Sequence, residues 1–541
     1  MNPATLPSPN QLAPVPDQYS SWYPGQDQTF SRVMSWMASD QKFLCVEAPT
    51  GSGKSLLSVL SSMVSGKRAA ILTATKGLQS QLLTDFYGSV TDIRGQANYS
   101  CLAGEDLGIT VQEASCHAGV PCTLRHNGCL YYDQRSAASR APITVTNYAY
   151  WLAQVNHSDG IGERDLLICD EAHLAFQAWE SFVSVRVGRD ELEKTGCRFP
   201  QTAMDDWDQW RTWARGAWSR VSDFSDSLRT DIQDAATEGR RLEGKHTREY
   251  RRLQGLARRL ESIYKSSGRW SWQGNRGSWS FVPLWPADYG HLLFGSAKKV
   301  ILMSAFMTPK TADLLGIEDP PFVSAPSGFP ASNTPVKHVS TVRLNFRSSD
   351  EDIKAWVSRI DQLIDRRLDR KGIVFTVSYN RRNTLLNLSR HRDIMMSHGT
   401  SDVVQMVDAF RKAPAPRVLV SPSVTSGWDF PGTDCEYIII GKIPYPDTRP
   451  AVVKARTKED KDWTSYVAMG DIVQEAGRGT RSASDQCEVL LVDDNWLWFW
   501  NRYKHFAPGW FHDRIAGFKM MVHGPPWGPH QSPPIDRPSN R

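Results

Sequence analysis

Three short stretches of the 541-residue chain carry residue types and spacings suited to chemistry on a phosphate. The first is Ala48-Pro49-Thr50-Gly51-Ser52-Gly53-Lys54-Ser55, which follows the apolar run Phe43–Glu47 and precedes the helical pattern LLSVLSSMV. Small residues let successive backbone N–H groups turn inward around an anion, and the helix N-terminus adds its dipole. There Lys54 neutralises terminal phosphates and Ser55 holds Mg²⁺. The second is Asp170-Glu171-Ala172-His173, closing the apolar run 166–169. Asp170 is placed to hold Mg²⁺ through water, and Glu171 to polarise an attacking water. The third is Gln474-Glu475-Ala476-Gly477-Arg478-Gly479-Thr480-Arg481. Arg478 and Arg481 share one helix face and suit stabilisation of charge that develops on a transferring phosphoryl group. A solvated basic helix end is the plainer reading of that pair taken alone.

A fourth group is of another kind. Cys101, Cys116, Cys122 and Cys129 stand between the first two motifs, with gaps of fourteen, five and six residues. No Cys-x₂₋₄-Cys knuckle of the usual structural zinc site occurs among them. Four thiolates on an irregular insertion are able to hold a [4Fe–4S] cluster; zinc and unligated thiols are the alternatives. Cys45 and Cys169 lie in apolar runs and read as core, while Cys197, Cys435 and Cys487 have no evident partners.

The elements that must position these groups show in the hydrophobic pattern. Short β-branched runs at Phe43–Glu47, Ala69–Thr73, 143–146, 166–169 and 300–303 alternate with helical patterns, and a second set follows at 372–376, 418–421, Tyr437–Ile440 and 489–492. Such alternation predicts α/β architecture, with two parallel sheets each covered on both faces. Residues 186–285 break the rhythm: Tyr250, Leu253, Ala257, Leu260 and Tyr264 follow helical spacing, and 270–281 reads as a hairpin with Trp270, Trp272, Trp279 and Phe281 on it. Trp207, Trp210, Trp213 and Trp218 read first as the core of this insertion and second as base-stacking platforms. The arginine pairs 240/241, 251/252 and 258/259 suit either phosphate tracking or a solvated helix face.

Composition sets the outer limits. With 40% hydrophobic and 22% charged residues the chain buries sizeable cores, and a net charge of +5 permits a nucleic-acid partner without demanding one. No run of about 18 apolar residues suggests a membrane span, and the N-terminus lacks a secretory signal, so a reduced cytoplasmic protein is expected. Both ends are Pro-rich and read as disordered tails.

In order along the chain, these motifs resemble those of superfamily 2 helicases of the XPD/DinG type. Tyr23-Pro24-Gly25-Gln26 is similar to a Q motif; APTGSGKS, Leu72-Thr73-Ala74-Thr75, Asn98-Tyr99-Ser100-Cys101, Thr146-Asn147-Tyr148 and DEAH follow. Ser304-Ala305-Phe306, Ser426-Gly427-Trp428-Asp429 and QEAGRGTR complete the series. The resemblance implies two RecA-like domains, at 21–330 and 331–515, between tails at 1–20 and 516–541. It puts an iron–sulfur insertion at 94–138 and a trimmed arch-like helical insertion at 180–285, a compactness that would suit a phage origin. It implies ATP and Mg²⁺ as ligands, with Gln26 on adenine, Gln474 near the γ-phosphate, Gly427 and Asp429 at the interdomain cleft, and Arg478 and Arg481 as arginine fingers. Thr75, Asn147 and Tyr148 would contact DNA, and the four cysteines would hold [4Fe–4S]. The implied activity is ATP-dependent 5′→3′ unwinding of single-stranded and forked DNA by a monomer. A translocase that remodels protein–DNA or R-loop structures without unwinding is the alternative. The family usually has Thr where Phe306 stands.

Overall fold

The computed structural model describes residues 6–516 apart from 158–159, 241–243, 346, 425–427 and 481–483. Runs such as Ala69–Thr73 and Lys371–Phe375 are buried at every position, which requires cover on both faces of a sheet. They lie inside two parallel sheets. The first has the order Phe322–Ser324, Phe43–Glu47, Ala297–Ser304, Arg164–Cys169, Ala69–Thr73, Ile143–Asn147, Thr91–Asp92. The second runs Val336–His338, Glu488–Leu491, Tyr437–Ile440, Lys371–Phe375, Arg417–Ser421, Met395–Ser397. The two α/β units are those the hydrophobic pattern called for. The strands it did not show are the outermost of each sheet, only two or three residues long.

The insertion after DEAH is built on a third, antiparallel sheet in which Val185–Gly188 pairs with Ser278–Pro283, and that strand with Trp270–Gly274. From it project two long helices, Trp207–Thr237 and Gly244–Lys265, packed along each other. Tryptophans glue helices to sheet: Trp210 is wholly buried, and Trp207 stacks on Trp270 at 4.9 Å. They are core, not stacking platforms. The arginines of the second helix are also internal ties: Arg252 and Arg259 both pair with Glu191, and Arg259 donates to the Arg186 carbonyl.

Two placements depart from expectation. Residues 6–20 are not a disordered tail: Tyr19 stacks on Phe86 at 5.0 Å, Val15 is buried, and Trp22 Nε1 donates to the Pro7 carbonyl. The aromatic and apolar side chains of the segment outweigh its prolines. The cysteine-bearing segment and the helical insertion, read as separate, dock on each other. Ala118 packs with Ile232 and Tyr250, Gln233 Nε2 donates to the Ala118 carbonyl at 2.9 Å, and Arg248 pairs with Glu113.

The helical insertion is also tied to the second α/β unit. Arg456, on helix Ala451–Glu459, donates to the carbonyls of Leu284 and Pro283, pairs with Glu180, and lies over the rings of Phe176, Trp285 and Trp463. Beside it Glu459 pairs with Arg269 and accepts from Trp285 Nε1. Among the described residues no helix is long and apolar enough to cross a membrane.

Candidate nucleotide cleft and cysteine cluster

The cleft is assembled from strand ends. Strand Phe43–Glu47 leads into the loop Ala48–Gly53, whose Gly51 and Gly53 take φ of 77° and 76°, and helix Lys54–Ser65 follows. A side chain at Gly53 would strike the Gln26 amide, 2.3 Å from its Cβ. Lys54 Nζ donates to the carbonyls of Ala48 and Pro49 at 3.2 and 3.4 Å, curling over its own loop, and lies 3.8 Å from Glu171.

Two strands away, Arg164–Cys169 delivers Asp170 and Glu171 to the same edge. Glu171 sits at φ 50°, a left-handed turn that costs a non-glycine residue about 1 kcal/mol and that aims its carboxylate back toward Lys54. His173 Nδ1 stands 3.4 Å from that carboxylate and 2.7 Å from Ser304 Oγ. Burial pushes the His173 ring down to about 4; Arg478 and Lys54 push the same way and Glu171 opposes them. The imidazole is therefore neutral at pH 7. It feels charges from both α/β units, so the three motifs converge around it.

The facing wall comes from helix Trp463–Ala476. Arg478 Nη1 donates to the Trp428 carbonyl at 2.9 Å and lies 3.7 Å from Asp429, while Nη2 donates to Gln474 Oε1 at 3.3 Å. The walls touch: a Cβ on Gly477 would stand 2.9 Å from Thr50 Oγ1. Phe306 fills a second contact, its ring 5.2 Å from that of Tyr466 and closing on Gly470. Arg481 and Gly427 lie outside the described residues.

Other expected site residues are engaged in ways the sequence did not foretell. Gln26 is buried, accepts from Tyr23 N, and donates to the carbonyls of Ser52 and Gly53 at 3.3 and 3.1 Å, so its amide braces the phosphate loop. Thr75 and Asn147 lie at the ends of neighbouring strands and cap the helices that follow, accepting from Leu78 N and Tyr150 N. Tyr148 corrects the expectation of a DNA contact: it is 3% exposed and donates to the Asp170 carbonyl at 2.8 Å, underpinning the acidic turn. The apolar run that Tyr148 opens, Tyr148-Ala149-Tyr150-Trp151-Leu152, was the available signal.

Cys116 lies in a 3₁₀ turn, Cys101 and Cys122 each precede one, and Cys129 caps the helix Leu130–Arg140. Cys101, Cys116 and Cys122 line a small cavity together with Gly244 and Thr247 of the long helix. Burial first, then the neighbouring thiols including Cys129, raises Cys101 and Cys116 above the ordinary thiol value, which places all four within electrostatic reach. Gly104 N donates to the Cys101 carbonyl at 3.1 Å, turning the chain beside that thiol. The donor set is four free thiols, the side-chain chemistry that a thiolate-ligated cluster needs. Among the described residues no three of them are drawn together at metal-ligand spacing.

Known proteins match this description. Residues 363–514 match the helicase C-terminal domain family, and residues 20–187 match the type III restriction enzyme, res subunit, family. A solved XPD helicase aligns over 89% of this chain and 98% of its own, with a TM-score of 0.63 at 16% identity. An apo XPD structure gives 0.58 over 88% and 97%, at 16% identity. Xpd4 of S. tokodaii gives 0.55 over 89% and 99%, at 14% identity. The fold is that of the solved XPD helicases. Its two parallel sheets are the RecA-like units of that fold.

Proposed function

We propose that this protein is an ATP-dependent DNA helicase that translocates 5′→3′ on single-stranded DNA and opens forks. The observation that carries the reading is the cleft in which Lys54, Glu171 and Arg478 surround the neutral His173, with Thr50 against Gly477 across the domain boundary. Lys54 leaves the Ala48 and Pro49 carbonyls to bind β- and γ-phosphates of the substrate. Ser55 and Asp170 would hold Mg²⁺, which would supply charge neutralisation there. Glu171 orients the attacking water and takes its proton, and Arg478, joined by Arg481, meets the charge that develops on the γ-phosphoryl group. His173 bonded to Ser304 passes the state of Glu171 to the strand end whose next residues, Ala305 and Phe306, abut the second domain. Closing and opening of that boundary moves the two domains along a strand held through its phosphates near Thr75 and Asn147.

Cys101, Cys116, Cys122 and Cys129 would hold [4Fe–4S]; the bound cluster supplies cross-links to a module without a core of its own. The test is anaerobic unwinding of duplexes bearing a 5′ or a 3′ tail, with Lys54→Ala as the blank. Opening of the 5′-tailed duplex alone supports the reading; opening of the 3′-tailed duplex alone reverses the polarity. A second reading is a DNA-stimulated translocase that does not unwind. The Arg456 tie favours it, because it holds the arch-like insertion to the second domain. Hydrolysis stimulated by single strands with neither duplex opened is its signature.

A further inference from the structure

Away from the phosphate loop, a cavity of about 520 Å³ lies at the hinge between the two α/β units. Its floor is the ends of strands Phe43–Glu47 and Phe322–Ser324, one side is the helix Gln26–Met37, and its lid is the last helix of the second unit, Gly509–Ala516. Arg514 belongs to that lid. It is 2% exposed, its guanidinium lies 4.6 Å over the Trp510 ring, and its Nη1 is buried with no hydrogen-bond partner. Among the described residues no carboxylate pairs with it. A buried guanidinium left without an anion is costly, and burial alone already lowers its affinity for a proton to about 10. Glu47, across the cavity, is pushed by burial up to about 7, so it opposes an incoming anion less than an ordinary carboxylate would. At the exposed rim Arg32 adds a cation and Asp513 a carboxylate, so the two offset each other there and the buried Arg514 decides the sign.

We propose that this hinge cavity binds a small phosphate-bearing ligand, with Arg514 as the buried anchor and Trp510 as the wall against which the rest of the ligand lies. The volume exceeds what a bare phosphate needs and suits a mononucleotide. The site is distinct from the phosphate loop, because Ala325 and Pro326 stand between this cavity and the space behind Lys54. It is nevertheless joined to the cleft. Trp510 Nε1 donates to the Ala305 carbonyl at 3.1 Å, one residue from the Ser304 hydroxyl that meets His173. Occupancy holds the last helix of one unit against the first unit at their hinge, and therefore favours one interdomain angle over others.

The test uses the full chain carrying Lys54→Ala, so that the phosphate loop does not compete, with inorganic phosphate and AMP as probes and thermal unfolding as readout. Both probes are expected to raise the melting temperature, AMP at concentrations at least about tenfold lower. Adding Arg514→Met abolishes the response. Without ligand, Arg514→Met melts no lower than its parent, because it removes an uncompensated buried charge, whereas a purely structural arginine would leave a destabilised protein behind. Arg514→Lys keeps the charge without the fork and retains a weakened response. A parent that responds to neither probe, or a response that survives Arg514→Met, overturns the proposal.

Discussion

The phosphate-loop wall of the nucleotide cleft and the cysteine module stand in the same α/β unit, and the cleft and the module are built in opposite ways. In the cleft the polar groups hang from the ends of strands and helices, and most are already bonded. Lys54 is held by its own loop, Gln26 by the loop's carbonyls, and Arg478 by Trp428 and Gln474. The cysteine module has only 3₁₀ turns and the helix Leu130–Arg140, and it borrows its stability from the long helices it rests on. The first keeps its shape because sheets fix it; the second brings four sulfurs near one another and leaves the last step to whatever ties them. A pre-bonded site pays its reorganisation when substrate enters, whereas a borrowed one fails when its support is cut.

The widest separation comes from Lys54→Ala. ATP hydrolysis should fall on the order of 10³-fold, while thermal unfolding moves by no more than about 1–2 kcal/mol, since two loop hydrogen bonds and the 3.8 Å pair with Glu171 go. Cys101→Ser should do the reverse. Iron content, read by absorbance and metal analysis, and strand separation are lost, while the affinity for ATP stays within about twofold. Full unwinding by an iron-free variant would remove the module from the mechanism. Tyr250→Ala cuts the support instead of the sulfurs. Deleting that buried ring costs about 3–5 kcal/mol locally, and hydrogen exchange should quicken across residues 111–126 while amides beside Lys54 hold their protection.

A pH experiment sharpens the contrast from the other side. Asp471, on the helix that leads to Arg478, is pushed by burial up to about 7. The folded chain then binds more protons than the unfolded one between its ordinary carboxylate range and pH 7, so this group drains stability as pH rises through that window. Asp471→Asn should therefore be more stable than the parent at pH 8, with the gain shrinking at pH 5, in denaturant titrations. The smallest effect belongs to Arg252→Met, which breaks partly exposed pairs with Glu191 and Glu249 and should cost under about 1 kcal/mol.

Much of the frame was legible because buried parallel strands announce themselves: nine apolar runs are nine strands, and the phosphate loop and DEAH turn are found between the elements predicted for them. The missed strands, such as Thr91–Asp92 and Met395–Ser397, are too short to show any period, and only their neighbours make them strands. Long-range docking was illegible for a different reason. Nothing in Ala118 announces Ile232 and Tyr250, more than a hundred residues away, and nothing in Arg456 announces Glu180. Arg251 shows the limit of reading charges by number: offered as a phosphate tracker or a solvated face, it is half-buried and faces Tyr132 and Cys116. Trp510 and Arg514 carried no signal at all, because their meaning depends on which helix closes the hinge.

The 31-residue helix Trp207–Thr237 is a rod of roughly 46 Å. Its Trp207 end sits at the aromatic sheet that Arg456 and Glu459 fasten to the second domain, and its Gln233 end grips the cysteine module. A tilt of about ten degrees at the fastened end sweeps the other through roughly 8 Å, by the rod's length alone. The helix pair thus works as a beam with its load at the tip, and the small excursions of a nucleotide cleft arrive at the cysteine module magnified.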